Sequence, residues 1–334
     1  MPRIFMMRNN RNKKWISLSL FSATNLAACC LIISLGCSDS GSPEKINNQK
    51  PPGQANHKEQ PTKILKPTIK LLDPGAEPRA QLRYSYQAES SGRFKMDTSM
   101  SMTLEANGMK QEIPMPLSRI VVSISCKAST PDGKTPVESK YDEVEILNVP
   151  GTPPELLGQF KEVMGGLQGV TTSGVMTPQG LYEDVDVKFP ENVHPEIKKM
   201  SEDLKQTINS FAWPFPKEAI GKGARWQVSM PFTSEGIKGT QVSTLTLKDI
   251  QGDKVKMELT VKKTAPKQEI DVPGLPGVKG QLISFESTGT GKTEISLTGL
   301  SDIKLELNET QNRTLSVNGG EMKMTMKIGL VLYP

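Results

Sequence analysis

Leu315-Ser316-Val317-Asn318-Gly319-Gly320-Glu321-Met322-Lys323-Met324-Thr325-Met326-Lys327-Ile328-Gly329-Leu330-Val331-Leu332 decides how the chain is read. Met322, Met324, Met326, Ile328, Leu330 and Leu332 recur at every second position, so all six point to one face of an extended strand. Asn318-Gly319 just before them is the residue pair that a tight hairpin turn favours, since both of its central residues need positive φ. Helical spacing would scatter the same six residues around the axis, so the segment is one arm of an antiparallel hairpin.

The same period appears toward the other end of the chain. Leu82, Tyr84, Tyr86 and Ala88 alternate with Arg83, Ser85 and Gln87. Phe94, Met96, Met100, Met102 and Leu104 share a face, and Asn107-Gly108 marks a second hairpin. The return strand carries Pro114 and Pro116, which restrict it to an edge. Ile120, Val122, Ile124 and Cys126 follow on one face, then Val144 and Ile146. Beyond Gly223, Trp226, Val228, Met230 and Phe232 alternate, followed by a hairpin about Gln251-Gly252-Asp253. Further strands are expected at Leu282–Ser287, Thr293–Leu297, Ile303–Leu307 and Leu315–Val317, with a Pro- and Gly-rich loop at Pro266–Gly280.

Between the two β runs the period lengthens. Thr152-Pro153-Pro154-Glu155 has the form of a capping box with proline at the first helical position. Leu156, Leu157, Phe160, Val163, Met164 and Leu167 then lie on one helical face. A second helix is expected from about Pro195 to Trp213, with Leu204, Ile208 and Phe211 on its apolar side, stopped by Pro214 and Pro216. Strands, two helices and strands again give an α+β fold. The expectation is a large curved antiparallel sheet, a half-barrel, with both amphipathic helices packed on its concave face.

The N-terminus assigns the compartment. Arg3, Arg8, Arg11, Lys13 and Lys14 precede an apolar run from Trp15 to Gly36, and Cys37 opens a polar stretch. Basic start, apolar middle and small residue before the cut make a secretory signal. The cysteine after the cut resembles the lipidation site of bacterial lipoproteins, which places the protein in the cell envelope, lipid-anchored and facing the periplasm or exterior. Leu26-Ala27-Ala28-Cys29 also fits such a signal, but a cut there leaves more apolar residues behind it, so Cys37 is favoured. An uncleaved anchor is the alternative, since 22 residues can span a bilayer.

Residues 1–36 form the signal. Residues 37–79 form a tether, with seven prolines between Ser38 and Pro78, a composition unsuited to a core. Residues 80–334 form one domain: a β run at 80–150, a helical middle at 152–213 and a β run at 224–334. The five basic residues of the signal account for the whole net charge of +5, so the remainder is neutral and gives no electrostatic reason for a nucleic-acid partner. Of four cysteines, Cys29 and Cys30 leave with the signal and Cys37 would carry the lipid, so only Cys126 remains and an internal disulfide is excluded after processing. Cys126 shares the apolar face of Ile120 and Val122, the position of a buried thiol.

Catalytic signals are weak. The two histidines, His57 and His194, fall in the tether and beside a helix start, and no His/Cys/Asp/Glu group has metal spacing. Ser287-Thr288-Gly289-Thr290-Gly291-Lys292-Thr293 resembles a phosphate loop. It lacks the upstream glycine, where Glu286 stands, and a following helix, so it reads as a turn and no nucleotide is expected. The chain is read as a non-enzymatic protein without cofactor or metal. Methionine is soft and adaptable, so Met96, Met100, Met102, Met322, Met324 and Met326, with Phe160, Leu204 and Phe211 from the helices, are the candidate lining for a lipid or other apolar ligand. The alternative is an envelope scaffold whose methionines fill a core.

Leu71-Leu72-Asp73-Pro74-Gly75-Ala76-Glu77-Pro78-Arg79 leading into Leu82-Arg83-Tyr84 resembles the start of uncharacterised envelope lipoproteins of planctomycete-type bacteria. Phe215-Pro216-Lys217-Glu218-Ala219-Ile220-Gly221-Lys222-Gly223-Ala224-Arg225-Trp226 and Gly289-Thr290-Gly291 are similar to segments of the same group. That group brings no activity and no site residues. The order of elements is also similar to that of the LolA/LppX-like lipoprotein carriers, which implies an apolar cavity under helices.

Overall fold

The computed structural model describes residues 6–7, 16–17, 67–191, 193, 213–234, 236–272 and 278–334. Met6–Met7 and Ile16–Ser17 pair as a two-stranded antiparallel sheet of their own. Fourteen strands form the other sheet. In chain order they are β1 (Thr68–Asp73), β2 (Ser91–Ala106), β3 (Met109–Pro114), β4 (Leu117–Cys126), β5 (Thr135–Leu147), β6 (Thr171–Met176), β7 (Tyr182–Lys188), β8 (Arg225–Ser234), β9 (Ile237–Gln251), β10 (Lys254–Ala265), β11 (Gln268–Asp271), β12 (Lys279–Ser296), β13 (Ile303–Val317) and β14 (Gly320–Tyr333). One helix, α1 (Pro154–Gly165), interrupts them.

The sheet is antiparallel throughout, in the order β1-β8-β9-β10-β12-β13-β14-β2-β4-β5-β6-β7. The long strands β2 and β12 each serve two partners along one edge. β4 takes Ser91–Thr98 of β2 and β3 takes Ser101–Ala106, while β10 and β11 divide β12 in the same way. Asn107 and Gly108 hold φ of 53° and 74°, and Asn318 and Gly319 hold 50° and 78°, so both Asn-Gly hairpins form as expected.

This corrects the expected fold class. The chain forms a single large open antiparallel sheet, not an α+β fold with two amphipathic helices on a half-barrel's concave face. Among the described residues α1 is the one helix, and the second expected helix lies outside them apart from Trp213, which is not helical. Two pairs of expected strands fuse: Leu282–Ser287 with Thr293–Leu297 into β12, and Ile303–Leu307 with Leu315–Val317 into β13. Ser287–Thr293 is therefore neither a phosphate loop nor a turn but the middle of an 18-residue strand. A Cβ on Gly291 would stand 2.5 Å from the Glu306 carbonyl, and such close backbone approach is what glycine inside a strand permits. The expected Pro266–Gly280 loop contains β11. The sheet also begins inside the expected tether, because Thr68–Asp73 pairs with Arg225–Ser229.

Lying flat, the twelve strands of this order would hold its two ends about 50 Å apart. Contacts show otherwise. Trp226 on β8, next to one end, lies 5.9 Å from the Phe215 ring, and Phe215 lies 5.5 Å from Tyr84. The Tyr84 amide donates to the Pro178 carbonyl (2.9 Å) and the Phe215 amide to Gln179 (2.9 Å), both in the turn between β6 and β7 at the other end. The sheet is therefore bent back so that its ends meet across the segments 74–90 and 213–224. Those segments are locked to each other by paired backbone bonds between Ala80 and Ile220 and by a bond from Gly221 to Pro74.

Leu82–Ala88 is one of these tying segments and not a strand. Its alternation is genuine: Leu82 and Tyr84 enter the core, while Arg83 donates to the carbonyls of Pro216 and Lys217 (each 2.9 Å). Gly180, at φ 90°, sits where a Cβ would strike the Tyr84 ring.

The inner face of the bent sheet carries a large apolar core, to which α1 adds Leu156, Phe160, Val163 and Met164. Toward the other end of the strands, Ile237, Ile270, Leu282, Phe285 and Leu315 form a smaller one.

Candidate ligand-binding face

The methionine faces meet. β14 pairs with β2 so that Met326 lies opposite Met102 and Met324 opposite Leu104, with Ile328 opposite Met100. Period-two geometry puts all of them on the inner face. Met100, Met102, Met324 and Met326 are buried; Met96 and Met322 are half-buried, Met322 against the smaller core. Phe160 is fully buried on α1. Of the other expected site residues, Leu204, Phe211 and Cys37 lie outside the described residues, as does His194.

Beside this ladder runs a polar strip absent from the sequence-based expectation. Gln241, Lys263, Ser287 and Gln311 are register partners across β9, β10, β12 and β13, and the row continues into Met326 and Met102. Glu309 and Arg313 flank it on β13. All six polar residues are buried. The Lys263 ammonium donates to both Glu309 carboxylate oxygens, at 2.8 and 3.1 Å, and the Ser287 hydroxyl donates to Oε1 at 2.5 Å. Gly289 lies directly opposite Glu309 and between the strands of Lys263 and Glu309, so the absent side chain leaves the space the carboxylate crosses. Arg313 points Nε and Nη2 at the Met324 sulfur, 3.0 and 2.7 Å away.

A buried ion pair with a supporting hydroxyl is held in one geometry, because breaking it strands a charge in a low-dielectric interior. Ser287 is 1% exposed and already bonded to Glu309, so its hydroxyl presents no open face to a substrate. Among the described residues no three His, Cys, Asp or Glu side chains are placed to hold a metal ion. No described helix is long and apolar enough to cross a membrane. Cys126 is buried, with its sulfur 3.1 Å from Ser90 Oγ and 3.3 Å from the Gln87 carbonyl.

The strip escaped the sequence because alternation was followed through apolar residues only. Glu309, Gln311 and Arg313 keep the parity of Leu305, Leu307 and Leu315, and that unbroken parity was the available signal.

The chain matches no protein-family model and no curated protein sequence.

Proposed function

We propose that the protein is a non-enzymatic binding module for a lipid or another apolar ligand, held at the cell envelope by a lipid on Cys37. The observation that carries the reading is the inner face itself, where a facing ladder of methionines adjoins a strip of fixed polar groups. Methionine side chains repack around variable apolar shapes at small cost. The strip lays fixed polar groups alongside that apolar ladder, and a mostly apolar lining with a few fixed polar groups is the usual composition of a small-molecule site. The basic, apolar and cysteine pattern of residues 1–37 supports the envelope placement, and the resemblance to envelope lipoproteins agrees with it.

A second reading has its own observation. Met102 and Met326 are 2% and 0% exposed, as in an interior filled by its own side chains. On that reading the protein is an envelope scaffold without a small ligand.

Native mass spectrometry of the full chain, extracted from the membrane of its expression host, separates the two. The binding module retains a dissociable acyl lipid, and after denaturation its intact mass still carries the covalent acyl groups of Cys37. A protein without dissociable lipid supports the scaffold, and a mass without covalent acyl groups removes the anchor.

A further inference from the structure

Lys263 and Glu309 keep 11% and 2% of their side-chain surface, and they stand on strands that do not pair with each other. β12 runs between β10 and β13, and the contact crosses it beside Gly289, which presents no side chain. Nζ of Lys263 lies 2.8 and 3.1 Å from the two carboxylate oxygens. A nitrogen placed so evenly toward both oxygens stands about 3–3.5 Å from Cδ, the separation of a near-attack pair. The Ser287 hydroxyl donates to Oε1 at 2.5 Å, so that oxygen is fixed and polarised while Oε2 meets the ammonium.

We propose that Lys263 and Glu309 condense after folding into an intramolecular amide, a covalent staple from β10 to β13 across β12. The proposal goes beyond the lipid-binding reading and does not depend on it. A proton passes from the Lys263 ammonium to Oε2, leaving a neutral amine beside a carboxylic acid. The nitrogen lone pair then forms the Nζ–Cδ bond, and the Cδ–Oε1 π pair moves onto Oε1, where Ser287 donates to it. A second proton passes from Nζ to Oε2, the Cδ–Oε2 bond breaks with its electron pair, and Oε2 leaves as water. Oε1 returns to a carbonyl, Nζ keeps one hydrogen, and the step needs no oxidant, reductant or cofactor.

Two features favour this product. Groups held side by side react as though at a very high concentration. In water the separate ions are preferred because both are hydrated; the interior removes that hydration and destabilises the ionised reactants. The ion pair is the reactant, so newly folded chain holds the charges and matured chain the amide. The product also has a use. Cys126 is the thiol left by the expected processing, which leaves no disulfide to brace the sheet. An amide between residues 46 positions apart constrains the unfolded chain as a disulfide does.

The test follows the full chain with time after synthesis in its expression host, by a pulse of heavy leucine, denaturation, tryptic digestion and mass spectrometry. The staple is expected as fragment 263–267 joined to fragment 305–313, lighter than their sum by one water, with fragment ions placing the link on Glu309. Lys263→Arg keeps a cation beside the carboxylate but supplies no amine, and is expected to release fragment 305–313 unjoined. Ser287→Ala is expected to slow the joining about 100-fold, the effect of removing one oxyanion donor. Wild-type chain that unfolds cooperatively in urea, yet yields fragment 305–313 unjoined at all times, overturns the proposal and leaves the ion pair as the final state. A link on Gln311, formed with loss of ammonia instead of water, overturns the choice of acceptor. Joining in Ser287→Ala as fast as in wild type overturns the part given to Ser287.

Discussion

Glu309 is the residue on which the inner face turns. It is 2% exposed at its side chain and bonded to Lys263 and Ser287. Removing one member of a buried pair leaves the other charge desolvated, whereas exchanging both for apolar groups of similar volume is often neutral. Glu309→Ala is therefore expected to cost about 3–5 kcal/mol in urea unfolding, and the double exchange Glu309→Leu with Lys263→Met much less. Equal destabilisation by the single and the double exchange would show that the strip contributes shape and not charge. At this scale the sequence was legible where residue type and face agreed: Cys126 is buried as its position beside Ile120 and Val122 implies, and so are Met100, Met102, Met324 and Met326. Parity alone marked Glu309 as inward-facing, but its burial was not legible, because a charged side chain enters an interior only with partners, and Lys263 and Ser287 come from other strands 46 and 22 positions away in the chain.

Elements were legible where local rules suffice. The two Asn-Gly hairpins, the edge position of the proline-bearing β3 and the buried face of α1 all follow from residues a few positions apart. The start of α1 differs by one residue. The N-cap is Pro153, which has no side chain to cap with, and the buried Thr152 hydroxyl has no partner among the described residues, so the capping box does not form. Packing holds the helix instead, as is usual for a helix of twelve residues. Phe160→Ala should then cost about 3–5 kcal/mol if the space around Phe160 is closed. A cost nearer 1 kcal/mol, with tighter binding of diphenylhexatriene, would show that the space beneath α1 is already open to ligand. β1 and the segment 82–88 were exchanged in the sequence reading for one reason. Extended chain alternates whether or not it pairs, and pairing depends on a partner: β1 finds β8, while residues 82–88 find the carbonyls of Pro178, Pro216 and Lys217.

The molecule as a whole was least legible. Composition and period two indicate many antiparallel strands, but the bending of the sheet depends on Trp226, Phe215 and Tyr84 meeting the turn at Pro178 and Gln179, contacts between residues up to 131 positions apart in the chain. No local pattern announces such contacts, and the expected helical cover diverted the reading from them. Bending makes one face an interior, and the central claim is that this interior receives a lipid. The most direct measurement is photolabelling of the full chain with a diazirine-bearing acyl probe, with the labelled sites mapped by peptide mass spectrometry. Labels are expected on β2 and β14, at Met100, Met102, Met324 and Met326, and excess 1-monooleoylglycerol should remove them. Labels confined to outer-face residues such as Thr290 and Asn308, or labels that the competitor leaves in place, would contradict the account.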